Sequence, residues 1–444
     1  MTDAAVVSEE FKMTELGPLP KEWEVGPLGE VISFARKPHG LDLSSYAEIP
    51  FVPMEYIPDS QVDISHYDLK KPTELGSGTF FYKGDLLVAK ITPSFENGKQ
   101  CIVDNLPCDF GYATTEVWPL HKTGRADLLF LFYYLKRKEV RVDIAAKMEG
   151  STGRQRVPKN VLETLLVSLP PLLEQKKIAA VLSTVQEAKE KTEAVIKTTR
   201  ELKKSLMKHL FTYGPVPLEE AGNIPLKETE IGLVPEGWEV AELGKLVDIV
   251  YGAQAAVANL VDPSSGIPIL TNINIGNDGA LDLSTLRYYE VPESKRSRLL
   301  LERGDLLFNW RSGSPSHVGK TALFNLDGEY TFASFILRFR VLSDSVLNSY
   351  LFRYLSHLKA RGFFASNRMQ SSVNSVFNAS LAARIPVALP GYSEQREIAF
   401  MLTAADRKIQ SEENKKKAME ELFRTLLGNL MTGRIRVAQL EVGA

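Results

Sequence analysis

The sequence predicts an α/β protein built as two repeated globular domains joined by two long antiparallel helices, a coiled-coil dumbbell with a pseudo-two-fold axis. Three observations predict it. The stretch "LPPLLEQKKIAAVL" is answered about 220 residues later by "LPGYSEQREIAFML". Three further landmarks recur in the same order. Two runs of roughly forty residues are almost free of Gly and Pro and carry apolar residues at spacings of three and four.

The repeat fixes the architecture, since self-similarity at a long period means copies of one large unit rather than a solenoid. "TELGPLPKEWEVGPLGEV" matches "TEIGLVPEGWEVAELGKL", pairing Trp23 with Trp238 and Gly29 with Gly244. "FYKGDLLVAK" matches "LERGDLLFNW", and "LKKSLMKHLFT" matches "LFRTLLGNLMT". The boundaries that follow are a first globule over 13–170, a first helix over 171–213, a linker over 214–228, a second globule over 229–390 and a second helix over 391–435.

Within each globule, "GDLLVAK" and "GDLLFNW" read as a tight Gly-Asp turn feeding a buried strand. "FASFILRFRVL" alternates like a strand. "ADLLFLFYYLKRK" and "SVLNSYLFRYLSHLK" read as amphipathic helices. Asp85 and Asp305, matched across the repeat, are turn formers rather than a catalytic pair.

From Glu174 to Phe211 there is no Gly or Pro, and Tyr213-Gly214-Pro215 ends the run. At ~1.5 Å per residue each helix reaches on the order of 55 Å. The expected seam of the first is Ile178, Leu182, Val185, Ile196, Leu202, Leu206 and Leu210. That of the second is Ile398, Leu402, Ala405, Ile409, Met419, Leu422, Leu426 and Leu430. Lys189, Thr192, Glu412 and Lys416 make the middle polar. A helix this long strands too much apolar edge if left alone, so the two pair. The linker holds three prolines and reads as extended. The chain order of globule, helix, linker, globule, helix then makes the pairing antiparallel.

Composition bounds the function. The chain has 444 residues, 44% hydrophobic and 24% charged, with net charge −2. An electrostatic binder of nucleic acid is usually basic, so any such face must be local, or partners must supply some of the charge. Two stretches meet that condition. From His121 to Asn160 there are ten Lys or Arg against four Asp or Glu, and from Ser345 to Ser393 five against none. Arg reads guanine by paired hydrogen bonds, Asn or Gln reads adenine, and Lys, Ser and Thr hold phosphates. The candidate DNA-binding residues are Lys90, Asn97, Lys99, Arg154, Gln155 and Arg156 in the first copy. In the second they are Asn309, Arg311, Lys320, Asn367, Arg368 and Gln370.

Other chemistry is excluded. Cys101 and Cys108 are too few for a disulfide framework and lack zinc spacing, reading as free cytoplasmic thiols. The six histidines are scattered. "GSPSHVGKT" has five residues between Gly313 and Gly319 where a phosphate loop has four. No run of 18 apolar residues and no secretory signal is present, which points to the cytoplasm.

The repeat, the "GDLL" turns, the two Leu-Pro/Glu-Gln junctions and the long helices together resemble the specificity subunit of Type I restriction-modification systems, over about Met13–Val437. The resemblance implies two target recognition domains, each reading one half of a split, asymmetric DNA sequence, and a helix pair acting as a spacer ruler. It implies a non-catalytic subunit that scaffolds two modification subunits and two restriction subunits. S-adenosylmethionine, ATP and Mg then belong to those partners, with no cofactor or metal in this chain. Glu174, Gln175, Glu394 and Gln395 become the expected partner-binding residues. The alternatives are a coiled-coil scaffold that never touches DNA, and a reader fused to an unrecognised methyltransferase activity.

Overall fold

A computed structural model describes residues 10–254, 260–312, 314–365 and 377–439. The chain forms two compact units. One takes the chain up to Ala194 and again from Glu413; the other takes Val195–Glu412.

The first unit is built on two four-stranded sheets. In one, Ile32–Phe34, Val117–Lys122, Leu86–Ala89 and Gln100–Ile102 lie side by side. In the other the order is Asp68–Lys70, Ile49–Val52, Phe110–Ala113 and Thr79–Tyr82, with Ile49–Val52 and Phe110–Ala113 parallel. The Gly-Asp turn links the sheets. Gly84 takes a φ of +85°, open to glycine at no steric cost. The Asp85 N–H donates to the Tyr82 carbonyl, and its carboxylate accepts from the Tyr82 N–H. The turn delivers Leu86–Ala89, buried along its whole length.

The second unit repeats the first sheet with Val247–Tyr251, Ile336–Val341, Leu306–Asn309 and Thr321–Leu323. Its Asp305 closes the same turn on Glu302. The other sheet runs Leu260–Val261, Arg287–Tyr289, Ile267–Leu270, Thr331–Phe332.

Helices α1 (Leu128–Lys136) and α2 (Lys138–Ala145) cover the first unit. The break falls at Arg137, whose ψ of 132° is extended. The matching run in the second unit is one unbroken helix; the longer helices that follow are labelled α3 (Leu172–Tyr213), α4 (Asn348–Ala360) and α5 (Tyr392–Leu430). The Leu-Pro strands Leu166–Leu169 and Pro386–Leu389 pair antiparallel with Glu24–Pro27 and Glu239–Glu242. The matched glycines sit where chains nearly touch: a Cβ on Gly29 would lie 3.1 Å from the Glu163 carbonyl, and one on Gly244 would lie 2.9 Å from the Ala383 Cβ.

Each unit holds the start of its own long helix and the end of the other copy's. In the first unit Glu174 at the head of α3 meets Arg436 beyond α5, while Glu193 meets Lys416 at 2.9 Å. Position falls on one helix as it rises on the other, so the segments are antiparallel. In the second unit Lys203 meets Asp406 at 2.5 Å, and Leu210 shares a core with Ile398 and Leu402. Burying each such leucine stabilises its unit by about 1.5–3 kcal/mol.

The seam departs from expectation at two matched places. Leu202 is 62% exposed and Leu422 is 48% exposed. For Leu202, a step of six from Ile196 lands off the inward face, since helix neighbours lie three or four apart. Lys203 and Phe423, one residue on, face inward instead. Ile178, Leu182, Ile196, Leu210, Ile398, Leu402 and Leu430 are buried, and Val185, Leu206, Ile409, Met419 and Leu426 are half-buried. Thr192, in the first unit, and Glu412, in the second, are buried polar residues on their helices.

Candidate DNA-recognition surface

The Glu-Gln junctions act inside the fold. Gln175 and Gln395 are 1% and 0% exposed. Gln175 Oε1 accepts from the Asp127 N–H, and its Nε2 donates to the Pro170 carbonyl. Gln395 repeats this with the Leu347 N–H and the Pro390 and Ser345 carbonyls. Each glutamine ties the head of a long helix to the start of α1 or α4. Both are therefore corrected from partner-binding residues to internal braces, because a buried amide with its polar atoms engaged by backbone presents nothing to a partner.

Glu174 is likewise engaged. It accepts from Trp23 Nε1 at 3.2 Å and pairs with Arg436 through both oxygens, at 2.8 and 3.0 Å. Glu394 accepts from the Gly391 N–H at 3.1 Å. Exposed groups at these junctions include Leu172, Leu173 and Lys176 on α3, and Tyr392, Arg396 and Phe400 on α5.

The candidate DNA-binding residues of the first unit fall into one neighbourhood. The loop after Leu86–Ala89 and the turn around Glu149–Val157 are stitched together. Val157 N–H donates to the Lys90 carbonyl at 2.7 Å, and Thr92 N–H to the Gln155 carbonyl at 3.0 Å. Lys90, Gln155 and Arg156 thus converge, with exposed Arg154 at the tip of the turn. Lys90 Nζ sits 4.2 Å above the Trp118 ring, and burial pushes its ammonium below the usual lysine range. Asn97 is exposed, while Lys99 donates to the Met54 carbonyl at 2.9 Å.

Two residues of this neighbourhood escape a reading by local spacing. Glu116 grips Arg156 from 40 positions away, and Arg141 donates to the Glu96 carbonyl beside Asn97. The sequence signal for Arg141 was the basic stretch itself; for Glu116 there was none.

In the second unit Arg311 is exposed, its guanidinium 5.6 Å over the Phe335 ring. Lys320 donates to the Ile275 carbonyl at 3.3 Å, near Lys359. Asn309 is corrected: it is 1% exposed, the last residue of a buried strand, and its Nδ2 donates to the His317 carbonyl. Spacing sets it beside Arg311, but both faces of this strand are buried, and its amide is engaged inside the fold. Asn367, Arg368 and Gln370 lie outside the described residues.

Among the described residues no cluster of three or more His, Cys, Asp or Glu is placed to hold a metal ion. Burial pushes the Cys101 thiol far above its ordinary range. No described helix is long and apolar enough to cross a membrane.

The comparisons agree with this architecture. The putative Type I restriction enzyme MjaX specificity subunit of Methanocaldococcus jannaschii is 26% identical over 440 residues, covering 97% of each chain. The Type I restriction enzyme EcoAI specificity subunit of Escherichia coli is 35% identical over 179 residues, 39% of this chain and 29% of that one. The S subunit of a Type I restriction-modification system from M. genitalium superimposes with a TM-score of 0.60 at 14% identity, over 95% of this chain and 98% of that one. A chain from a study of type I complex assembly and conformational transition gives 0.55 at 19% identity, over 94% and 99%. The model of the Type I restriction modification DNA specificity domain matches twice, over residues 20–199 and 235–421, one match to each copy of the repeat, and the chain belongs to that family.

Proposed function

We propose that this chain is the DNA-recognition subunit of a Type I restriction-modification complex, with each unit reading one half of a bipartite, asymmetric target. The observation that carries this is the doubled specificity domain. Each copy holds cationic side chains beside exposed loops after its Gly-Asp strand. The copies differ at the residues those loops present, Lys90, Arg154 and Arg156 against Arg311 and Lys320, as two unlike half-sites require.

In this reading α3 and α5 set the spacer. Two modification subunits and two restriction subunits assemble on the chain and bring S-adenosylmethionine, ATP and Mg. The chain supplies no catalytic group; its residues bind and orient DNA.

The test is sequencing of methylated adenines in DNA modified by the chain with its modification partner. Two fixed half-sites separated by a constant spacer are expected. A single continuous motif, or methylation by this chain alone, overturns the reading.

A further inference from the structure

On the surface of the first unit, one carboxylate sits among cations. Glu116 immediately precedes the strand Val117–Lys122. Its carbonyl accepts from the Lys90 N–H at 2.9 Å, so its backbone anchors one basic loop. Its carboxylate accepts from Arg156 Nε at 2.8 Å and Nη2 at 2.7 Å, so its side chain anchors the other. The Glu116 side chain is 24% exposed and that of Arg156 is 50% exposed. The pair lowers the Glu116 carboxyl below its usual range. A side-on grip through Nε and Nη2 leaves the Nη1/Nη2 edge turned away from Glu116. That edge is the one that matches guanine O6 and N7.

The second unit holds an arginine from the same position by other means. Asn309 faces Ile336 in its ladder as Ala89 faces Val117 in the first, so Phe335 stands where Glu116 stands. The backbone scheme repeats. Trp310 N–H donates to the Phe335 carbonyl at 3.2 Å, and Phe377 N–H to the Trp310 carbonyl at 2.9 Å. Here the guanidinium of Arg311 lies over the Phe335 ring, 5.6 Å from its centroid. A cation-over-ring contact takes up no guanidinium N–H, so the hydrogen-bonding edge stays available.

A carboxylate on a face meant for phosphates costs attraction, and an exposed ion pair contributes little to stability. Orientation of the arginine explains both the placement and its recurrence. We propose that Glu116 and Phe335 are positioning residues for base readout: they orient Arg156 and Arg311, and each thereby sets the base selected at one position of its unit's half-site. The proposal rests on the DNA-facing reading of these loops.

The experiment uses the full chain with its modification partner, sequencing of methylated sites, and thermal melting as a control for folding. E116Q is expected to melt like the parent and to make one guanine-containing position of one half-site degenerate. Discrimination there falls roughly tenfold to a hundredfold, and the other half-site is unchanged. R156A loosens the same position. F335L loosens one position of the opposite half, and carries the test alone should E116Q fail to fold. If folded E116Q and F335L keep the parental motif while R156A and R311A loosen it, the positioning role is overturned and the reading face stands. If R156A, R154A and K90A all keep the motif, the face itself is wrong and the proposal falls with it.

Discussion

His121 and Arg340 occupy the same register position in the two units, and each closes on the buried aspartate of its Gly-Asp turn. His121 Nδ1 lies 2.6 Å from Asp85 Oδ1, while Arg340 engages Asp305 through both oxygens at 2.8 and 2.7 Å. Both aspartates are 1% exposed. The same structural demand, a partner for a turn-closing carboxylate, is met by an imidazole in one copy and a guanidinium in the other.

That difference predicts unequal stability. Burial raises the Asp85 carboxyl above its ordinary range, against the opposing Tyr82 N–H and His121 contacts. A carboxyl raised in the folded state stabilises below its unfolded pKa and loses that contribution as pH rises through the folded value. H121R replaces the single imidazole contact by the two-point guanidinium grip seen at Asp305 and is expected to stabilise the first unit by about 1 kcal/mol where Asp85 is ionised, with no gain where it is protonated. R340A leaves Asp305 buried and unpaired and costs about 3–5 kcal/mol. Urea unfolding of each variant measures both.

A second pH effect belongs to the second unit. His357 is packed against the Phe211 ring at 4.7 Å. It borders a cavity of about 760 Å³ that Glu201, Lys204, Lys208 and Arg361 also line. Burial, with Arg361 adding, pushes its imidazole down to about 4 from 6.5. A histidine lowered on folding stabilises above its unfolded pKa and loses that contribution as pH falls. The second unit is expected to lose on the order of 3 kcal/mol between pH 6.5 and 4. H357L should flatten that slope. Hydrogen exchange in α4 at pH 7 and pH 5 reads it; equal slopes in parent and variant would refute the assignment.

The junctions separate fold from assembly. Q175L and Q395L each strand a backbone N–H that begins a helix, and are expected to cost about 1–3 kcal/mol. L173A and F400A, on exposed groups, are expected to melt like the parent and to weaken capture of the modification partner in a pull-down. The reverse pattern would return the glutamines to the surface role.

What was legible in the sequence was what depends on period. The repeat, the Gly-Asp turns, the long helices and most of the seam follow from spacing. Leu202 and Leu422 lie outside the seam because apolarity alone does not decide which side of a helix is buried, and the inward places beside them belong to Lys203 and Phe423. The internal role of the two glutamines is not legible in local spacing, because only tertiary packing brings Asp127 and Leu347 against them. Glu116 left no trace because its partner is forty residues away. For the seam the expected outcome is that L182A costs about 2–5 kcal/mol and L202A under 1, measured by thermal melting.

The ruler makes a geometric prediction. Because α3 and α5 run antiparallel within each unit, a residue added to one must be matched on the other to keep register. Four residues inserted in the polar middle of each, near Thr192 and Glu412, add ~6 Å to both helices. At ~3.4 Å per base pair the preferred spacer should grow by about two base pairs. Four residues also fall within about 40° of a whole helical turn, so the insertion rotates each helix little about its own axis. Sequencing methylated sites reads the spacer directly. Unchanged half-sites at an unchanged spacing would show that the helices do not set the distance, whereas unchanged half-sites at the longer spacing would assign that role to them.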